Sequence, residues 1–306
     1  MFVLSVLRLL MLAAAFPAVA ASAVSADEPL PFSDSMKALS GRMESATGVD
    51  VTGSSQSTYS SVVVAPLAPL DRDGLRIKLY GSYGTWSHDR RDSVSYCLRS
   101  PEERMALTGI DFGSLCNRAA NERLSAAEAE AIAVAVAPYG LRLEGDQLYK
   151  VQTHTVERTE LAVMPGYQMS WPGVALKAYL GPAFEARTIT PVDPDKVLSG
   201  TAWGAKTGLE SWFALGSAFW LAADANYFTG TQAYGASMRL GFQPLGWLTL
   251  GPEVAAFGDE EDDSARAGGF LRLTIGQMEA TLSGGMSADY LGETSAYGSA
   301  GVYMKF

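Results

Sequence analysis

Ser295-Ala296-Tyr297-Gly298-Ser299-Ala300-Gly301-Val302-Tyr303-Met304-Lys305-Phe306, at the end of the chain, alternates two kinds of residue. Ala296, Gly298, Ala300, Val302, Met304 and Phe306 hold one parity. Tyr297, Ser299, Gly301, Tyr303 and Lys305 hold the other. Successive side chains of a strand point to opposite faces, so this segment makes a strand with one apolar and one polar face.

A last strand finishing on an aromatic residue resembles the closing strand of a bacterial outer-membrane β-barrel. A barrel in lipid makes a sharp demand on the rest of the chain. A cation facing the middle of the hydrocarbon costs about 2–4 kcal/mol, so mid-strand charges must all point inward and share one parity. Leu75, Ile77 and Leu79 alternate with Arg76, Lys78 and Tyr80. Val174, Leu176, Leu180 and Phe184 alternate with Lys177, Tyr179, Glu185 and Arg187. Lys206 and Glu210 oppose Trp203, Leu209 and Phe213, and Asp224 opposes Phe219, Leu221 and Tyr227. Arg239 opposes Met238 and Leu240, Glu253 opposes Leu250 and Val254, Arg266 and Arg272 oppose Leu271 and Leu273, and Glu279 and Asp289 oppose Leu282 and Met286. The expected fold is therefore all-β, a transmembrane antiparallel up-and-down β-barrel. A soluble β-sandwich also alternates and is the competing architecture. Eleven strands can be counted back from the C-terminus to Thr58–Leu67, and a short one near Thr47–Gly53 makes about 12, with ten as the fallback.

The N-terminus reads as a signal peptide over residues 1–26: Arg8 precedes an apolar run from Leu9 to Ala15, and cleavage is expected after Ala20, Ala23 or Ala26. Residues 27–46 are expected as a periplasmic N-terminal segment and 47–306 as the barrel. Mean hydropathy is +0.07 and charged residues make up 18%, a mixture that suits an apolar outer face diluted by a polar lumen. The net charge of −10 argues against nucleic-acid partners. Cys97 and Cys116 are the only cysteines, and in an exported chain they are expected as a disulfide rather than a metal site. With two histidines in the whole chain, no zinc site and no cofactor are expected.

Short turns at Pro172-Gly173, Gly216-Ser217, Pro244-Leu245-Gly246 and Gly276-Gln277 alternate with longer connections, the asymmetry of periplasmic turns and outer loops. Trp171, Trp212, Trp220 and Trp247 lie near the short turns and are expected in an interfacial aromatic girdle. Residues 89–149 break the strand pattern. Ser125 with Glu128 forms a capping box before the Ala-rich run Ala126–Ala137, so a helix is expected there, ended by Pro138-Tyr139-Gly140. This insertion is either a plug or cap for the barrel or a disulfide-stapled surface loop. The acidic run Asp259–Asp263 lacks the spacing of an EF-hand and is expected as a solvated outer loop, with divalent bridging to lipopolysaccharide as the alternative.

Inward charges expected from parity are Arg76, Lys78, Lys177, Arg187, Lys206, Arg239, Arg266, Arg272 and Lys305 against Glu185, Glu210, Asp224, Glu253, Glu279 and Asp289. Such a lumen is slightly basic and, if open, should prefer anions. Tyr80, Trp86, Tyr179, Phe270, Tyr297 and Tyr303 fall on the inward parity, where they either stack on sugar faces or pack a narrow lumen. For catalysis the sequence offers little. His154 is followed by Thr155 and Val156, without the Ser two residues on that outer-membrane phospholipases carry. Glu253 with Glu279 could imitate a glycosidase pair, but lumen charges more often pair with one another.

Several short motifs share a further look: Gly48-Val49-Asp50, Ser57 to Leu70, Asp71-Arg72-Asp73-Gly74-Leu75-Arg76, Gly81-Ser82-Tyr83-Gly84-Thr85-Trp86, Met164-Pro165-Gly166-Tyr167-Gln168, Tyr179-Leu180-Gly181-Pro182 and Leu250-Gly251-Pro252-Glu253. Together they resemble the cellulose biosynthesis protein BcsS family over residues 48–306 apart from the insertion. The resemblance implies a bacterial outer-membrane component of cellulose production or export, in contact with membrane lipid and lipopolysaccharide, with cellulose and cellulose synthase subunits as partners and no catalytic residues. A general diffusion porin is the alternative, and an enzyme acting on lipid or glycan a third class.

Overall fold

The computed structural model describes residues 41–91, 94–121, 124–144, 147–191, 198–289 and 294–306. The expected signal peptide lies outside them. Thirteen strands run β1 (Met43–Val51), β2 (Ser55–Val64), β3 (Gly74–Arg91), β4 (Leu141–Glu144), β5 (Gln147–Trp171), β6 (Val174–Thr190), β7 (Gly200–Ala214), β8 (Phe219–Phe228), β9 (Ala233–Leu245), β10 (Leu248–Gly258), β11 (Asp263–Ile275), β12 (Met278–Asp289) and β13 (Thr294–Lys305). All but β4 form a closed antiparallel ring of 12 strands. Each pairs with its sequence neighbour; β1 pairs with β13, Glu44 opposite Lys305 and Val51 opposite Gly298, and β3 pairs with β5 across the insertion. Closure removes the edges of the ring, and among the described residues no second sheet stacks on it as a sandwich would require.

The barrel's apolar parity faces outward and is uncovered. Leu79, Leu161, Leu180, Leu209, Met238, Leu250, Leu271, Leu282 and Met286 are all exposed, on strands all around the ring. The opposite parity of the same strands carries buried Arg76, Glu160, Glu185, Arg187, Lys206 and Glu253. This is the inverse of a soluble protein, where such an apolar belt would be covered. Near the loop end of β5, Glu157 is exposed on the outward parity and breaks the rule.

The tight turns share a backbone device. Gly173 at φ 75° and Gly276 at φ 62° supply the left-handed conformation that lets β5 reverse into β6 and β11 into β12. The first two strands begin earlier than alternation suggests. β1 starts at Met43, inside the segment expected to precede the barrel, and β2 ends at Val64 rather than Leu67. Their turn is set by hydroxyls, with Ser55 N donating to Thr52 Oγ1 at 3.1 Å, which an apolar/polar pattern does not encode.

Ser87–Thr155 with Thr190–Asp193 forms a second compact unit. It contains α1 (Pro101–Thr108), α2 (Gly113–Asn121) and α3 (Ala126–Val136). Helix α3 has the expected capping box, Glu128 N donating to Ser125 Oγ and Ser125 N to Glu128. Helix α1 carries a second one, Ser100 with Glu103, legible in Ser100-Pro101-Glu102-Glu103 but absent from the sequence reading. Cys97 and Cys116 are joined, Cα–Cα 5.3 Å. Tyr96, Cys116, Ile132, Val136, Leu141 and Leu148 make a hydrophobic core of the unit's own, so it is more than a stapled loop.

Candidate functional site: the inner wall of the barrel

Inward side chains of the barrel form a network of ion pairs, and several of its links cross the lumen. Lys177 on β6 pairs with Glu44 on β1, with three strands between them in the ring. Lys177 also lies 3.8 Å from Glu210 on β7, and Glu210 pairs with Lys78 on β3. Tyr303 donates to Glu44 Oε2 at 2.6 Å. Lys78, Glu210, Lys177, Glu44 and Tyr303 thus make one continuous crosspiece from five strands.

A second run climbs toward the loop end. Lys206 pairs with Glu160, Arg158 bridges Glu160 (3.1 Å) and Glu185 (2.8 Å), and Arg187 bridges Glu185 (3.1 Å) and Asp259 (2.7 Å). On the opposite wall Arg266 pairs with Asp50, with two strands between them in the ring. Glu253 accepts from Arg239 Nε (2.8 Å), Ser283 Oγ (3.1 Å) and Tyr297 OH (2.8 Å), and Arg272 pairs with Glu279 at 3.2 Å. Arg76 is fully buried and carbonyl-bound: its guanidinium donates to Leu75 O (2.9 Å) and Pro69 O (3.1 Å), and its Nε to Gln168 Oε1 (3.1 Å). That pins the 65–73 connection to the turn end of the barrel. Lys305, at the end of β13, has its ammonium 5.8 Å from the Tyr303 ring, and Asp224 accepts from Ser237 Oγ at 3.4 Å. The side chain of Asp289 lies outside the described residues.

Glu44, Asp50, Arg158 and Glu160 are absent from the sequence-derived set of inward charges. Three of the four are acids, and they remove most of the basic excess expected of the lumen. Their signal is parity: Glu44 lies before the expected first strand, whereas Asp50 lies within Thr47–Gly53 on the same parity as Glu44. Glu160 was hidden because β5 does not alternate cleanly near Glu157.

The aromatics expected to stack on sugars already carry cations. Lys206 Nζ lies 4.4 Å from the centre of the Tyr80 ring, Arg187 5.5 Å from Trp86, Lys78 5.3 Å from Tyr179, Arg239 5.7 Å from Phe270 and Arg266 5.0 Å from Tyr297. These are cation–π contacts that brace the wall. Trp220 is a correction to the expected girdle. It shares the parity of Asp224, is buried inward, packs on Phe270 at 5.7 Å and lies under Arg272 at 4.8 Å. Trp171 and Trp247 are exposed.

The acidic run is not a merely solvated loop. Asp259 Oδ1 accepts from the backbone N–H of Glu261 (2.9 Å) and Asp262 (3.2 Å) while its other oxygen holds Arg187, and Glu261 accepts from Leu198 N at 3.0 Å. Burial pushes the Asp259 carboxyl up, but the hydrogen bond and charge of Arg187 outweigh it and hold it below its ordinary range. Among the described residues, no three His, Cys, Asp or Glu side chains are grouped to hold a metal ion. In the second unit, His154 Nδ1 lies 2.7 Å from Pro191 O and its ring stacks on His88 at 5.5 Å. Glu253 and Glu279 are each held by a different arginine rather than facing one another as an acid–base pair.

A family model described as cellulose biosynthesis protein BcsS matches residues 133–306. The chain belongs to this family. The BcsS match takes in the last part of the insertion and every barrel strand from β5 on, and leaves the motifs from Gly48 to Trp86 outside it. Among solved structures the chain is similar to the KdgM porin (8% identity, 86% of this chain and 99% of that one, TM-score 0.39). It is also similar to the translocator domain of the autotransporter NalP from Neisseria meningitidis (11%, 90% and 92%, TM-score 0.42). A third is the transport unit of the autotransporter AIDA-I from Escherichia coli (8%, 93% and 94%, TM-score 0.43). No curated protein matches the chain.

Proposed function

We propose that this BcsS-family chain is a non-enzymatic outer-membrane barrel that supports cellulose biosynthesis as an accessory component, with its lumen braced across rather than open as a free bore for glucan. The membrane assignment is supported by the uncovered apolar belt around a closed ring, which water would penalise and hydrocarbon would not. The observation that carries the accessory reading is the crosspiece Lys78–Glu210–Lys177–Glu44–Tyr303. Its members reach across the lumen toward one another, and a 12-stranded ring leaves little room beside them. Opposite charges inside are nearly matched, which leaves no reason for strong ion selectivity. Membrane lipid and lipopolysaccharide are the partners of the outer face, and cellulose and synthase subunits those of the functional complex.

Planar-bilayer recording tests this. The purified protein should show little steady conductance, and Lys177→Ala with Glu44→Ala should raise it. A large, stable wild-type conductance would replace the accessory reading with a diffusion porin. A deletion strain that retains full cellulose-dye binding would remove the cellulose role.

A further inference from the structure

Tyr59 differs from the other inward aromatics. It sits on β2 opposite Gly48 on β1 and Ser82 on β3, both inward positions, so it belongs to the lumen wall. Its ring lies against backbone: a Cβ on Gly48 would come within 2.7 Å of the ring carbons, and one on Gly301 of β13 within 3.5 Å of the hydroxyl. Glycine at these two positions lets the ring lie down on the wall. Even so, Tyr59 keeps 41% of its surface accessible, where Tyr179 keeps 3% and Tyr297 5%. Its surroundings are polar. The charges acting on its hydroxyl are those of Arg239, Asp50, Arg266 and Asp224. Asp50, Arg239 and Arg266 are committed to ion pairs, and Asp224, on β8 across the ring, accepts from Ser237. Tyr59 lies four residues along the wall from the level of Glu44, on the loop side of the crosspiece.

We infer that the open face of Tyr59 is a stacking platform for a pyranose ring of a β-linked glucan. A ring pinned on one side by backbone presents its other face without losing freedom on binding. An all-equatorial sugar offers its axial C–H bonds to that face, matching an open aromatic plane. The choice of glucan rests on the proposed role in cellulose biosynthesis; the platform itself rests on the geometry.

The test uses the full-length protein in detergent micelles, titrated calorimetrically with cellotetraose. Wild-type protein should bind, Tyr59→Ala should weaken binding by about tenfold or more, and Tyr59→Phe should stay within about threefold, because the ring face and not the hydroxyl carries the contact. Heat-modifiable gel mobility checks that each variant is a folded barrel. No binding by wild-type protein at millimolar cellotetraose would overturn the inference, as would equal binding by Tyr59→Ala or equal losses in the Phe and Ala variants. A deletion strain with normal cellulose would defeat the biological role and leave the titration standing. A wild-type protein that binds nothing while its deletion abolishes cellulose would defeat this inference alone.

Discussion

Replacing Lys177 by methionine should destabilise the barrel far more than the loss of one ion pair suggests. The Lys177 side chain is 18% exposed and that of Glu44 7%. Removing the ammonium leaves Glu44 a nearly dry carboxylate that keeps the Tyr303 hydroxyl. Breaking one side of a buried pair costs about 3–5 kcal/mol, chiefly the penalty of the charge left behind. The lower end applies here, about 3 kcal/mol, because the lysine touches water and the tyrosine bond survives. Glu44→Gln should cost less, about 1–2 kcal/mol, since Lys177 retains Glu210 at 3.8 Å and the amide still accepts from Tyr303. The double variant removes both charges, and swapping a buried pair for neutral side chains of similar size is close to neutral. Its cost should therefore fall well below the sum of the single costs, with a coupling of about 2–3 kcal/mol. Urea unfolding in detergent micelles, followed by tryptophan fluorescence, measures the cycle. Additive single and double effects would refute the crosspiece as a coupled unit.

Three further outcomes are expected. The disulfide closes a loop of sequence separation 19, so Cys97→Ser with Cys116→Ser should weaken the second unit by about 3 kcal/mol; hydrogen exchange should rise in α1–α3 while the barrel strands hold their protection. The Asp259 carboxyl is held below its ordinary value of 3.8, so its contribution is complete above that pH and is lost as pH falls through the lowered folded-state value. Asp259→Asn should flatten this limb of an acid-unfolding curve between about pH 5 and pH 2, and an unchanged curve would exclude the Arg187 clamp. A Cβ on Gly251 would lie 1.8 Å from the Leu240 carbonyl oxygen, whereas one on Gly298 meets nothing within 4 Å. Gly251→Ala should therefore cost about 3 kcal/mol or more and impair folding, and Gly298→Ala about 0.5 kcal/mol or less, read by heat-modifiable mobility and urea midpoints.

Parity accounts for most of what could be read in advance. Alternation is local, so Leu75–Leu79 or Leu271–Ile275 disclose which face meets lipid without knowledge of their neighbours. The same rule, applied to Trp220 beside Asp224, points it inward; proximity to a turn was the weaker signal. The capping box at Ser125 and Glu128 was legible because it spans four residues.

The amino-acid sequence by itself determined alternating strands with one apolar face, a helix in the insertion and the pairing of the two cysteines, because each depends on period or on there being only one partner; closure of the ring came from the pairing of β1 with β13 and of β3 with β5. The tertiary structure alone decided which inward charges meet. Lys177 and Glu44 lie 133 residues apart, and only ring closure and strand register bring them to one height. It also decided which aromatic stays open, since Tyr59 lies flat on the wall only because Gly48 and Gly301, from two other strands, leave it space.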